Sequence, residues 1–324
     1  MPATRWTGYN YTNVTLPDYY SNKGGNSSWG GQIIQDRQEN GIFHLIISQF
    51  AHGCGLSGWR PFSTVIRAES RTGPLGPYHY AQELLGPFRH NPTTIWSPSD
   101  NQYLLYTIGI ETQTPSTCRS YKWANNISVS SAPDVRGPWS TPHLLINGTN
   151  PTPWPLWTPE DPTSEMVLGA EDNKIHAADT FSGPYSLVKT MPWNTSDYSD
   201  HWTEDPFLWR DKRGNWHILC HWMIDIAERG EKFPRVGGHL FSRDLAGDWT
   251  FRLQAAYNTT VGFTDGGRTD YYRRERPKLF FSDDGELTPL YLTNGVQEFN
   301  SSGSYTLVQP IGRRAEAFAR ELGF

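Results

Sequence analysis

A repeat constrains this chain more than anything else in it. A polar stretch, often closed by a proline, precedes a run of aromatic and β-branched residues, and a turn then leads to a second such run. Asp205-Pro206-Phe207-Leu208-Trp209 leads to Trp216–Trp222, and Asn91-Pro92-Thr93-Thr94-Ile95-Trp96 leads to Tyr103–Tyr106. Arg276-Pro277-Lys278-Leu279-Phe280-Phe281 leads to Pro289–Leu292, Gly31–Asp36 to Ile42–Ile47, and, less clearly, Asn150-Pro151-Thr152 to Glu165–Leu168. Such runs read as strand pairs, with Gly, Asn and Asp where the chain reverses. A second signature closes four of the units: Gly76-Pro77-Tyr78, Gly137-Pro138-Trp139, Gly183-Pro184-Tyr185 and Gly247-Asp248-Trp249.

Five units of roughly 60 residues predict an all-β chain folded as a five-bladed β-propeller, with four-stranded blades around a central funnel. A hairpin-rich β-sandwich is the alternative, but it does not require this period or a proline before each inner strand. Residues 1–28 read as a lead-in that could take part in ring closure, 29–310 as the propeller and 311–324 as a short C-terminal helix. The fifth unit lacks the closing signature. Its outer strand is expected from the lead-in or from Ser304–Pro310.

Composition agrees with short strands and many turns: 14 Trp, 16 Tyr, 15 Phe, 30 Gly and 24 Pro in 324 residues. A net charge of −5 with mixed signs offers no basic stripe for nucleic acid, and no apolar run is long enough to span a bilayer. Asn-x-Ser/Thr sequons start at Asn10, Asn13, Asn26, Asn126, Asn147, Asn194, Asn258 and Asn300, more than chance placement provides, so a secreted glycoprotein is expected. Met1-Pro2-Ala3-Thr4-Arg5 has no apolar core of a secretory leader, which suits a mature chain with an added Met. Of three cysteines, Cys54 and Cys118 lie in Gly/Ser/Thr/Pro-rich loops and are the expected disulfide, while Cys220 reads as a buried thiol.

In a propeller the residues just before each inner strand face a shared funnel, the natural concave site. Here they are Trp29-Gly30-Gly31, His90-Asn91, Asn150, Glu204-Asp205 and Arg274-Glu275-Arg276. Five blades, a proline just after a polar funnel residue and the Gly-Pro-aromatic closures together resemble the furanosidase-type five-bladed glycosidases, glycoside hydrolase family 43 and its relatives. The resemblance covers the blade pattern of residues 29–310. It implies a general acid at Glu204, in Thr203-Glu204-Asp205-Pro206, and a furanoside or wall glycan as substrate. It also implies an Asp before the first inner strand, where this chain has Ser28-Trp29-Gly30-Gly31-Gln32 and no carboxylate. Second- and third-blade positions that commonly tune the acid carry the neutral Asn91 and Asn150.

Glycoside hydrolysis ordinarily needs two carboxyl groups. Glu204 is therefore the expected acid, with Asp205 and Glu275 as candidates for base or acid tuning. Trp29, His52, Arg60, His90, Asn91, Asn150, His221, His239, Arg274 and Arg276 are candidate substrate-binding residues, since rings stack on sugar faces and arginines hold carboxylates. A His base with arginines on a uronate would instead make a polysaccharide lyase. A propeller without a base would be a non-catalytic glycan binder. Asp18 or Asp36 could supply a carboxylate, although Asp36 reads better as a turn residue. No cofactor is expected. A channel cation, calcium or another, held by carbonyls and a His stays open. An oligo- or polysaccharide partner and a monomer are expected.

Overall fold

The computed structural model describes residues 2–3, 27–109, 117–118, 125–171, 174–190, 203–223, 236–263 and 267–321. Asp18 and the sequons at Asn10, Asn13, Asn26 and Asn194 lie outside them. In chain order the strands are β1 Pro2–Ala3, β2 Ser27–Gln35, β3 Phe43–Phe50, β4 Ser63–Ser70, β5 His79–Leu85, β6 His90–Ser97 and β7 Gln102–Ile108. They continue with β8 Asn126–Ala132, β9 His143–Asn147, β10 Thr152–Pro155, β11 Met166–Gly169, β12 Lys174–Ala178, β13 Ser186–Thr190 and β14 Thr203–Arg210. The last are β15 Trp216–Trp222, β16 Val236–Ser242, β17 Thr250–Tyr257, β18 Thr260–Phe263, β19 Arg268–Phe281, β20 Pro289–Glu298 and β21 Tyr305–Pro310, and helix α1 spans Gly312–Glu321. Four sheets are four-stranded antiparallel meanders, β2–β5, β6–β9, β10–β13 and β14–β17. With the fifth they form a five-bladed propeller.

The second strand of each blade is sandwiched between neighbouring blades, so it is apolar on both faces instead of alternating. Leu45-Ile46-Ile47, Leu104-Leu105 and Met166-Val167-Leu168 are fully buried for this reason. The Gly-Pro-aromatic signature turns the chain from third to fourth strand. Gly76, Gly137 and Gly183 have positive φ and precede cis prolines, a conformation glycine takes without penalty. The aromatic then reaches back: Tyr78 Oη donates to Pro74 O, Tyr185 Oη to Phe181 O and Trp249 Nε1 to Leu245 O.

The fifth blade departs from the expected plan. Its sheet is ordered β1-β18-β19-β20-β21, and the segment predicted as an outer strand, β21, is its third strand. Among the described residues no strand follows β21; the chain enters α1, whose Arg314 Nε donates to Tyr291 Oη on β20. The lead-in contributes β1, which pairs in parallel with β18 and also lies against β21. The ring closes through one backbone bond, from Ser28 N to Ser304 O at 3.1 Å, and a set of side-chain bonds. Ser28 and Thr306 exchange hydrogen bonds, Thr306 Oγ1 donates to Gly30 O, and Thr293 Oγ1 donates to Gly31 O. Bare Gly295 lets Trp29 lie against the fifth blade, where a Cβ would meet the indole at 2.6 Å.

Candidate functional site

All five inner strands enter from the funnel through the same local break. The entry residue has positive φ in each blade: Gly30 66°, Asn91 53°, Asn150 53°, Asp205 52° and Arg276 55°. The next residue is Gly31 or a proline. In four blades the ladder slips at this point, between Trp29 and Gln32, His90 and Thr93, Glu204 and Phe207, and Glu275 and Lys278. Proline cannot donate to a ladder, so a bulge is where an inner strand tolerates one. Asn and Asp tolerate the left-handed conformation better than other non-glycine residues, which accounts for three of the five entries. The bulge turns these side chains toward one another.

They make a nearly closed ring on the funnel floor. Asn91 Nδ2 donates to Asn150 Oδ1, and Asn150 Nδ2 donates to Asp205 Oδ1 at 2.8 Å. Arg276 Nε lies 3.4 Å from that same oxygen, and Arg276 Nη1 donates to His90 Nε2 at 2.8 Å, back in the second blade. The first blade adds no side chain. A Cβ on Gly30 would stand 3.1 Å from Arg276 Cβ and 3.2 Å from its Cδ, so the Arg276 stem fills the space that Gly30 leaves.

The ring fixes the state of His90. Arginine only donates, so Nε2 must accept, and the neutral imidazole gives its Nδ1 proton to Ser63 Oγ at 2.6 Å. Burial, with the charges of Arg276 and Arg60, holds His90 well below the usual histidine range. Trp59 stacks on this imidazole at 3.9 Å, and the Arg60 guanidinium lies 5.0 Å from the Trp59 ring. His52 is exposed at the rim, its ring tilted against Phe62 with centroids 4.2 Å apart.

Glu204 and Glu275 hold equivalent places, each one residue before a left-handed entry. The Glu204 side chain is 31 % exposed, while that of Glu275 is 7 % exposed and bonded to Arg273 at 3.2 Å. Glu204 faces His221 in the ladder. The wholly buried His221 has its Nδ1 3.7 Å from Glu204 Oε2 and 3.9 Å from Asp205 Oδ2. One ligand atom from each of the three falls within 4.8 Å of the others, a geometry that could hold a metal ion.

Below the ring, Lys278 reaches from the fifth blade to the second and donates to Thr93 Oγ1 at 2.8 Å; Thr93 in turn donates to Pro151 O in the third. Burial pushes the Lys278 amine down to about 7, against the pull of Asp205. Sequence reasoning passed over Lys278 and Ser63. The signal for Lys278 was its place two residues after Arg276, where strand alternation returns a side chain to the channel.

Three residues expected to bind substrate are placed elsewhere. Trp29 is 1 % exposed, buried in a cluster with Phe50, Cys54 and Phe62. Arg274 is buried and bonded to Asn294 Oδ1, Asn258 O and Gln309 Oε1, so it clamps the fifth blade together. His239 bonds to His217 and stacks against it, toward the Asp211 turn on the face away from the funnel. Asn91, Asn150, His90 and His221 are brought together, but as a buried floor. Asp36 caps its own turn, accepting from Gln38 N, Glu39 N and His44. The predicted disulfide Cys54–Cys118 is formed, with Cα atoms 5.6 Å apart, and Cys220 is a buried free thiol.

No described protein family and no curated protein matches the chain. Solved structures do. An endo-arabinase from Bacteroides thetaiotaomicron superposes with a TM-score of 0.54 at 14 % identity, over 88 % of this chain and 94 % of that one. An α-L-arabinofuranosidase from Lactobacillus brevis gives 0.55 at 13 %, over 92 % and 94 %. An exo-β-1,3-galactanase from Phanerochaete chrysosporium gives 0.56 at 12 %, over 94 % of this chain but only 65 % of that one. At such identities the likeness is one of fold: this chain is built on the five-bladed frame that these three glycosidases share.

Proposed function

We propose that the protein is a secreted glycoside hydrolase that cleaves a furanoside or wall-glycan linkage in its funnel. The observation that carries this reading is the placement of Glu204: a carboxyl group open to solvent at the entry to the fourth inner strand, above a polar floor. Asp205 behind it has its charge met by Asn150 and Arg276. That division suits Glu204 as proton donor to the leaving oxygen, with Asp205 as a fixed charge beside it. Glu275, at the equivalent place on the next blade, is the second carboxylate in this reading. Trp59 and Arg60 would border the sugar. The arabinase and arabinofuranosidase neighbours make arabinans the first substrates to try.

A second reading has an observation of its own. The Arg276 stem occupies the space beside Gly30, where the resemblance would place a base, which favours a glycan-binding propeller without turnover. A His-based lyase is less well supported, because both nitrogens of His90 are engaged. The protein should be incubated with arabinans, fructans, galactofuranans and uronic-acid glycans, following reducing sugar and ultraviolet absorbance together. Reducing sugar without absorbance is the expected result. Binding without either signal would replace the hydrolase reading with the second one.

A further inference from the structure

The four sequons within the described residues share one face of the propeller. Strands alternate in direction, so connections from second to third strand, and from fourth strand to the next blade, open on the funnel face. Asn126 begins β8, the third strand of the second blade, and Asn147 ends β9, its fourth. Asn258 follows β17, the fourth strand of the fourth blade, and Asn300 follows β20, the second strand of the fifth. All four lie on the funnel face. The connections on the opposite face are 36–42, 71–78, 98–101, 133–142, 156–165, 179–185, 211–215, 243–249 and 282–288. Every one is fully described and none carries a sequon. Asparagines are present there, at Asn40, Asn101 and Asn215, but the residues two places on are Ile42, Tyr103 and His217.

Asn147, Asn258 and Asn300 are exposed and Asn126 is half-buried. Asn258 accepts from Thr260 N through Oδ1 at 3.2 Å, which engages its oxygen and not the nitrogen that takes a sugar. An independent mark of the same compartment lies on the same face. The Cys54–Cys118 disulfide joins the connection after β3 to the connection after β7, and such bonds persist where the environment is oxidising.

We propose that Asn147, Asn258 and Asn300 carry N-linked glycans, which stand around the funnel mouth, while the described connections of the opposite face carry none. The donor is a lipid-diphosphate-linked oligosaccharide. The asparagine Nδ2 bonds to the anomeric carbon of its first sugar, the bond from that carbon to the diphosphate oxygen breaks, the lipid diphosphate leaves and the amide nitrogen loses one proton to a base.

The test is secretion of the whole chain from a eukaryotic host behind a secretory leader. Peptide-N-glycosidase digestion in heavy-oxygen water then marks each occupied asparagine for mass spectrometry. The expected result is heavy aspartate at 147, 258 and 300 and a fall in intact mass on digestion. The variant carrying Asn147→Gln, Asn258→Gln and Asn300→Gln should lose the part of that fall due to these sites. Secreted protein with all three asparagines unmodified would overturn the proposal, as would retention of unglycosylated chain inside the cell.

Discussion

At the scale of single residues, the funnel floor is a charge balance. Arg276 faces Asp205 and His90, Lys278 lies beneath, and Glu204 alone of the two equivalent glutamates opens well to solvent. Removing one member of a buried pair leaves the other charge uncompensated, at a cost of about 3–5 kcal/mol. Arg276→Ala should therefore lower unfolding stability by that order in a denaturant titration, whereas Arg60→Ala, on an exposed residue, should change it by less than about 0.5 kcal/mol. Lys278 supplies a pH dependence with a definite sign. Its folded value of about 7 lies below the ordinary 10.5. Between those values the unfolded chain binds the proton that the folded chain has lost, so this residue makes stability rise with pH across the window. Lys278→Met should remove that rise, measured by unfolding at pH 6 and pH 9. Glu204, Asp205 and Arg276 were legible in the sequence because each stands within two residues of a proline opening an inner strand. The burial of Asn91, Asn150 and His90 was not, because nothing in one strand says that the neighbouring blade's side chain will cover it.

At the scale of elements, the blades were legible because two periodic devices mark them: the bulged strand entry and the Gly-Pro-aromatic turn. The fifth blade was less legible, because those devices stop there. Among the described residues β21 is followed by α1, which packs against β20, and β1 from the lead-in joins the same sheet. Each second strand is the blade's main apolar load. Ile46 is fully buried between blades, so Ile46→Ala should cost about 2–5 kcal/mol by calorimetry or denaturant unfolding. The disulfide ties the rims of the first two blades across a separation of 64 residues. Replacing Cys54 with Ser should cost about 2–4 kcal/mol and lower the melting temperature, and a matching loss with reducing agent should be seen in the parent protein.

At the scale of the whole molecule, hydrogen bonds between residues 27–31 and 293–306 close the ring among the described residues. Closure through Ser and Thr side chains leaves little trace in a sequence, since such residues look like ordinary loop composition. The molecule also buries several neutral histidines. Burial, opposed by the bond to Asp36, lowers His44; burial lowers His90; and burial pushes His239 down to about 4. Unfolding frees these rings to take protons at their ordinary values, so stability should fall as pH drops from about 6.5 toward 4, and the melting temperature should fall with it. The funnel remains the centre of the account. The most direct measurement is the turnover of an arabinan or other cleaved glycan by the parent protein and by Glu204→Gln, with glycan affinity measured on both. The account predicts a rate loss of about 10²–10⁴-fold with affinity retained; unchanged turnover by Glu204→Gln would contradict it.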